Sequence, residues 1–132
     1  MSDTTSKDLR EGVRAVLVDL AVATTGEVFF SKMPTAPDRA VVITVYPVPL
    51  PNVTGVQVRV RGKAGSTVDA EDRADAVRDA LHGLTGTTWG NTRVELLAYV
   101  SGARLGFDGS NRDEVALNFH ATTSAPSTSL ID

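Results

Sequence analysis

The chain has 132 residues, 42% hydrophobic and 22% charged, with 13 basic against 16 acidic side chains and a net charge of −3. That length suits one domain with a buried core. The composition excludes whole-chain disorder and the gripping of nucleic acid through bulk positive charge, and the absence of cysteine excludes disulfides, thiolate zinc sites and cysteine nucleophiles.

Residues 1–7 are polar and lack the apolar core of a signal peptide. No stretch approaches the roughly 18 apolar residues of a membrane span, so a soluble, non-secreted protein is expected. The first element reads as a helix, because Leu9, Val13, Val16, Leu17 and Leu20 recur at helical spacing. Thr5 followed by Asp8 fits a capping box, and Thr24, Thr25 and Gly26 end the helix. Residues 27–32 form a short strand candidate. Pro34 and Pro37 make residues 33–38 a loop. Residues 39–46 are rich in β-branched side chains and read as a strand. Pro47, Pro49 and Pro51 then make 48–52 an extended connection.

Val56, Val58 and Val60 alternate with Gln57, Arg59 and Arg61, which gives a strand with one buried and one polar face. A turn over 62–65 leads to Ser66 or Thr67 as the cap of a second helix, whose apolar stripe is Ala70, Ala74, Val77 and Leu81. Asp69 and Arg73 are spaced for an i,i+4 pair, and Gly83 and Gly86 offer stops. Val94, Leu96, Ala98 and Val100 share the face of one further strand; Val115, Leu117, Phe119 and Ala121 share that of another. Gly102, Gly106 and Gly109 make 101–112 a long or bulged hairpin. Residues 1–121 form a single domain and 122–132 a flexible tail. Strands come in groups, so the expected class is α+β, with two helices packed on one face of a mostly antiparallel sheet.

No segment carries a complete catalytic or ligand-binding motif. Residues 61–67 resemble a phosphate loop in being glycine-rich between a strand and a helix. Gln57 stands where that loop needs Gly, and Ala64 where it needs Ser or Thr. Asp108, Ser110, Asn111, Asp113 and Glu114 supply many oxygens, but Gly109 and Arg112 break the calcium-loop pattern, and turn chemistry accounts for them better. His82, at a helix end, suits the dipole as a cation. His120 lies opposite Phe119, and neither histidine has a catalytic partner in view. No cofactor, metal or catalytic residue is expected. Trp89 is either a core plug or an interface anchor. Arg59, Arg61 and Lys63 line up along one strand and its turn, as a contact surface for acidic groups or as a solvated, charge-protected face.

Residues 56–63, leading into the alanine-rich helix that ends at Leu81, resemble the tail terminator (tail-completion, minor capsid) proteins of long-tailed bacteriophages. The run from Leu105 to Arg112, followed by Val115 to Phe119, is similar to that family as well, and the element order agrees over residues 9–121. The resemblance implies a structural protein without catalytic residues. It implies a six-fold ring that caps the tail tube, stops its growth and joins it to the neck. Its partners would be other copies of itself, the tube protein and a head-completion protein, with DNA passing through the bore without specific binding and no membrane involved. It implies a place in the virion, after assembly in the host cytoplasm. It also moves Arg59, Arg61, Lys63, Arg104, Asp108 and Arg112 to the head of the interface candidates. Two alternatives stand beside it: another phage neck or tube component, and a cellular enzyme or small-ligand domain.

Overall fold

The computed structural model describes residues 3–124. Helix α1 (Asp3–Asp19) is followed by a 3₁₀ turn (Thr25–Glu27) and three strands, β1 (Val28–Phe30), β2 (Ala40–Pro47) and β3 (Val53–Arg61). Helix α2 (Thr67–Leu81) precedes β4 (Leu84–Trp89), β5 (Thr92–Phe107) and β6 (Asp113–Ser124). The strands form one 6-stranded sheet in the order β1-β2-β3-β6-β5-β4. β1 runs parallel to β2, and the other neighbours are antiparallel. The class is α+β, as the grouping of strands implied.

Period-two alternation of β-branched residues builds the core. Val41, Val60 and Val115 lie side by side across β2, β3 and β6, and so do Ile43, Val58 and Leu117. These side chains join Leu9, Val13 and Leu17 of α1 and Ala70, Val77 and Leu81 of α2 in one apolar cluster. Both helices therefore cover the same face. Each fully buried valine or leucine there contributes about 1.5–3 kcal/mol.

The helix ends differ from expectation. α1 begins at Asp3, so Thr5 lies inside it. Asp8 faces the β4–β5 turn instead, and its Oδ2 accepts from the Asn91 amide at 3.0 Å and the Thr92 hydroxyl at 2.8 Å. Leu20 lies beyond the helix and is 61% exposed, because the chain reverses through Ala21 at φ 59°. Gly12 allows the Trp89 ring to rest on α1, where any Cβ would collide with it. Trp89 is thus partly buried against the core.

The Ser66 hydroxyl caps α2, accepting from the Asp69 amide at 3.1 Å. Asp69 and Arg73 do not pair with each other. Asp69 Oδ2 accepts from Arg39 Nε at 3.0 Å and the Lys63 amide at 2.8 Å, whereas Arg73 donates to Glu27 at 2.6 Å. His82 follows α2 as its C-terminal cap, and its Nδ1 accepts from the Tyr99 amide at 2.9 Å, which ties the helix end to β5.

The largest departures lie in β4 and β5. Gly86 does not stop a helix: it sits inside β4 at φ 59°, between the pairs Thr85↔Leu96 and Thr87↔Val94. β5 runs on through Phe107 and returns as β6, in keeping with the long or bulged hairpin expected over 101–112, and its register against β6 shifts at Val94/Leu96, Tyr99/Ser101 and Arg104/Gly106. Each added residue flips the side chains that follow it to the other face. Val94 and Leu97 are buried as a result, whereas Leu96 is 40% and Val100 51% exposed. β6 continues through Ser124, past the domain boundary expected at Ala121. The rest of the expected tail, 125–132, lies outside the described residues.

Candidate functional site

Three of the six candidate residues meet in one cluster on the face opposite the helices. Arg61 ends β3 and is 2% exposed. Its guanidinium donates from Nε to the Asp38 carbonyl at 2.8 Å, from Nη1 to the Pro34 carbonyl at 2.7 Å and from Nη2 to the Pro37 carbonyl at 2.6 Å. Arg112 reaches the same loop, donating from Nη1 to the Thr35 carbonyl at 2.6 Å and to Asp38 Oδ1 at 3.2 Å. Arg112 Nε donates to Asp108 Oδ2 at 2.9 Å, and Asp108 Oδ1 accepts from the amides of Ser110 and Arg112 at 2.8 and 3.0 Å.

Opposing effects set the charges of this cluster. Burial pulls the pKa of Arg61 down and the neighbouring Arg112 adds to that, whereas Asp108, Glu114 and Asp38 push it back up. Burial pushes the Asp108 carboxyl up, but the amides of Arg112 and Ser110 and the Arg112 guanidinium hold it below its usual value. The rigid fork of arginine suits this task, since one guanidinium serves three carbonyls at once. Arg61, Asp108 and Arg112 therefore clasp loop 33–38 over the end of the sheet.

The other three candidates stand apart. Arg59 Nη2 donates to Glu114 Oε1 at 2.8 Å. Arg104 bridges Glu71 of α2 and Asp113 of β6. Lys63 is exposed in the turn after β3, and no ion pair reaches it among the described residues. The arginines of β3 thus form no continuous cationic strip. β6 lies alongside β3 and brings Glu114 opposite Arg61, a pairing between residues far apart in the chain.

Two surfaces remain open. Away from the helices, Gln57, Asn118 and Ser101 lie side by side and are linked by Gln57 Nε2 to Asn118 Oδ1 at 3.2 Å and Asn118 Nδ2 to Ser101 Oγ at 3.3 Å. Tyr46 and His120 flank this polar ladder. The Tyr46 ring covers Gly55, where a Cβ would strike it, and burial raises the pKa of the phenol.

The second open surface is a strand edge. β4 pairs with β5 only from Thr92 to Leu97. Residues 98–107 of β5 therefore have β6 on one side and no strand on the other. Val100, Leu105 and Phe107 on this stretch are each about half exposed. The long or bulged hairpin expected over 101–112 did not disclose this edge, because local pattern does not tell which strand will be missing beside β5. Among the described residues no group of three or more His, Asp or Glu side chains is placed to hold a metal ion. Among them, too, no helix is long and apolar enough to cross a membrane.

The family model described as bacteriophage tail terminator protein matches residues 16–124. This chain belongs to the bacteriophage tail terminator family. Among solved structures, a chain from the virion of a native gene transfer agent particle has a similar fold. The TM-score is 0.66 at 20% sequence identity, over 87% of this chain and 93% of that one. A search of curated proteins returned no match. As a tail terminator the chain is a structural component of the phage tail and so of the virion. The matched span takes in all six strands and α2, and with them both open surfaces.

Proposed function

We propose that this tail terminator forms a hexameric ring on the end of the tail tube, ends tube polymerisation and joins the tail to the head-neck complex. The observation that carries the reading is the family match across residues 16–124. The open edge of β5 fits it, because a ring needs head-to-tail contacts that close, and an unpaired strand can provide one half of such a contact. DNA would pass through the bore without specific binding, consistent with a subunit of net charge −3. Its partners are other copies of itself, the tube protein and a head-completion protein, met in the host cytoplasm during assembly.

Lys63, Arg59 and Arg104 remain candidates for contact with those partners. Arg61, Asp108 and Arg112 would support an interface by fixing the shape of loop 33–38. The test adds the purified chain to polymerising tube protein and follows tube length by negative-stain imaging, with native mass measured across a range of concentrations. Expected are six-fold rings and short tubes capped at one end. Tubes that grow to the same length with and without the chain, or a closed two-fold dimer with no larger species, would overturn the proposal.

A further inference from the structure

The two margins of the sheet differ in charge, and both are unfinished. On one side, residues 98–107 of β5 form an edge beside a groove against α2; His82 Nδ1 accepts from the Tyr99 amide, and the edge is open beyond it. Glu71, Asp72 and Asp75 line its helix wall, with Tyr99, Gly102 and Arg104 on the strand. Arg104 is held by Glu71 and Asp113, and Arg78 is stacked over Tyr99 with its guanidinium carbon 4.6 Å from the ring centre. Asp72 and Asp75 are exposed and form no ion pair among the described residues. Edge strands are normally blunted by proline, by lysine or by a covering element. This stretch has no proline or lysine, and its one charge is occupied within the subunit.

On the opposite side, β1 is an edge strand of three residues, Val28–Phe30. It is flanked by cations. Arg10 and Arg14, one helical turn apart on α1, lie over the Phe30 ring with guanidinium carbons 5.6 and 5.4 Å from its centre. Neither forms an ion pair with a carboxylate among the described residues. Lys32 follows two residues after Phe30 and is exposed. Beyond β1, the Thr44–Pro47 half of β2 also lacks a partner on this side.

We propose that the occupant of the β5 edge is a second copy of this chain. Residues 98–107 of one subunit pair with the β1 margin of the next, and Arg10 and Arg14 of that neighbour face Asp72 and Asp75. This deepens the ring reading and rests on it. Both halves of the match are carried by one chain at opposite margins of one sheet, so a single head-to-tail contact leaves one margin free at each end, and repeating it yields a ring or a filament. The acidic groove disfavours DNA as the occupant, whereas the charge match favours self-association.

Charge exchange tests the pairing. In R10E/R14E both margins become acidic, and in D72R/D75R both become basic. Each variant alone is expected to stay monomeric at ten times the concentration at which the wild type assembles. An equimolar mixture is expected to restore a particle of wild-type mass, with the two variants alternating round the ring; that rescue also shows both variants to be folded. V100K/L105K places lysines on exposed positions of the edge and is expected to block assembly without lowering the melting temperature. Rings that persist in both charge variants and in V100K/L105K would overturn this edge and leave the ring reading standing. Variants that remain apart when mixed would overturn the charge match. A wild type that forms no ring, alone or on tubes, would overturn both.

Discussion

Arg61 shows how a residue picked out as a surface group can hold the inside together. It stands on the polar side of an alternating strand, yet its guanidinium is enclosed by the carbonyls of Pro34, Pro37 and Asp38. Hydrogen bonds from a charged donor are worth about 1.5–3 kcal/mol each, and buried acceptors left unpaired cost a similar amount. Arg61→Ala is expected to destabilise the fold by about 3 kcal/mol in urea titration. Arg61→Lys should restore only part of that, because a point ammonium cannot span three carbonyls. Lys63→Ala, two residues on, should fall within about 0.5 kcal/mol of the wild type. Equal shifts for Arg61→Ala and Lys63→Ala would show that Arg61 does not anchor the loop. A second position acts through space alone. Gly12→Ala pushes a methyl into the Trp89 ring, and overpacking of this kind costs about 1–3 kcal/mol. Trp89 is the only tryptophan, so its emission should shift to the red as the ring is displaced from α1.

At the scale of elements, an ion network ties the starts of β1, β2 and α2 together. Glu27 accepts from Arg73 and lies 3.5 Å from Arg39, which pairs in turn with Asp69. Burial raises the Glu27 carboxyl, but the Thr24 amide and the Arg73 and Arg39 guanidiniums outweigh it and hold it below its ordinary value. Burial likewise raises Asp69, and the Lys63 amide with the Arg39 and Lys63 charges brings it down. With folded pKa values lowered, this contribution is present above the ordinary carboxylate range and is lost as pH falls below about 4. The urea midpoint should therefore drop between pH 6 and pH 3, and by less in E27Q/D69N. An unchanged drop in that variant would assign the acid sensitivity elsewhere.

What the sequence disclosed about these elements followed local pattern. Val56, Val58 and Val60 announced β3 by strict alternation, and Ala70, Ala74, Val77 and Leu81 announced α2 by helical spacing; both lie where expected. The alternation of β5 was legible only to Val100, because each register shift resets it, and Gly102, Gly106 and Gly109 announced a long or bulged hairpin without fixing the pairs at which the register shifts. β4 carries threonines and glycines at positions that read equally well as a turn, and only pairing with β5 makes it a strand. The pairing of Arg59 with Glu114 and the enclosure of Arg61 by loop 33–38 depend on which strands become neighbours, and that is a long-range property. The open edge of β5 was hidden for the same reason, since an edge is defined by the strand that is missing beside it.

For the whole molecule, strand order dictates where the fold is tightest. β3 and β6 occupy the centre of the sheet, each with a neighbour on both sides, and carry the core rows through Val58, Val60, Val115 and Leu117. β1 and β4 lie at the two ends of the order. Amide exchange in the free subunit should follow this arrangement. Amides of residues 56–60 and 115–119 should open only with global unfolding, whereas β1, β4 and the outward amides of 98–107 should exchange through local fluctuations. Ring formation changes one part of that order. If the β5 edge receives the β1 margin of a neighbour, both stretches slow together on assembly, while β4, which takes no part in that contact, keeps its free-subunit rate. Slowing at β4 with none at 98–107 would place the subunit contact on the wrong strand. Equal slowing everywhere would report a general gain in stability rather than a particular edge. Exchange measured before and after assembly thus reads the subunit contact strand by strand, on the unaltered chain.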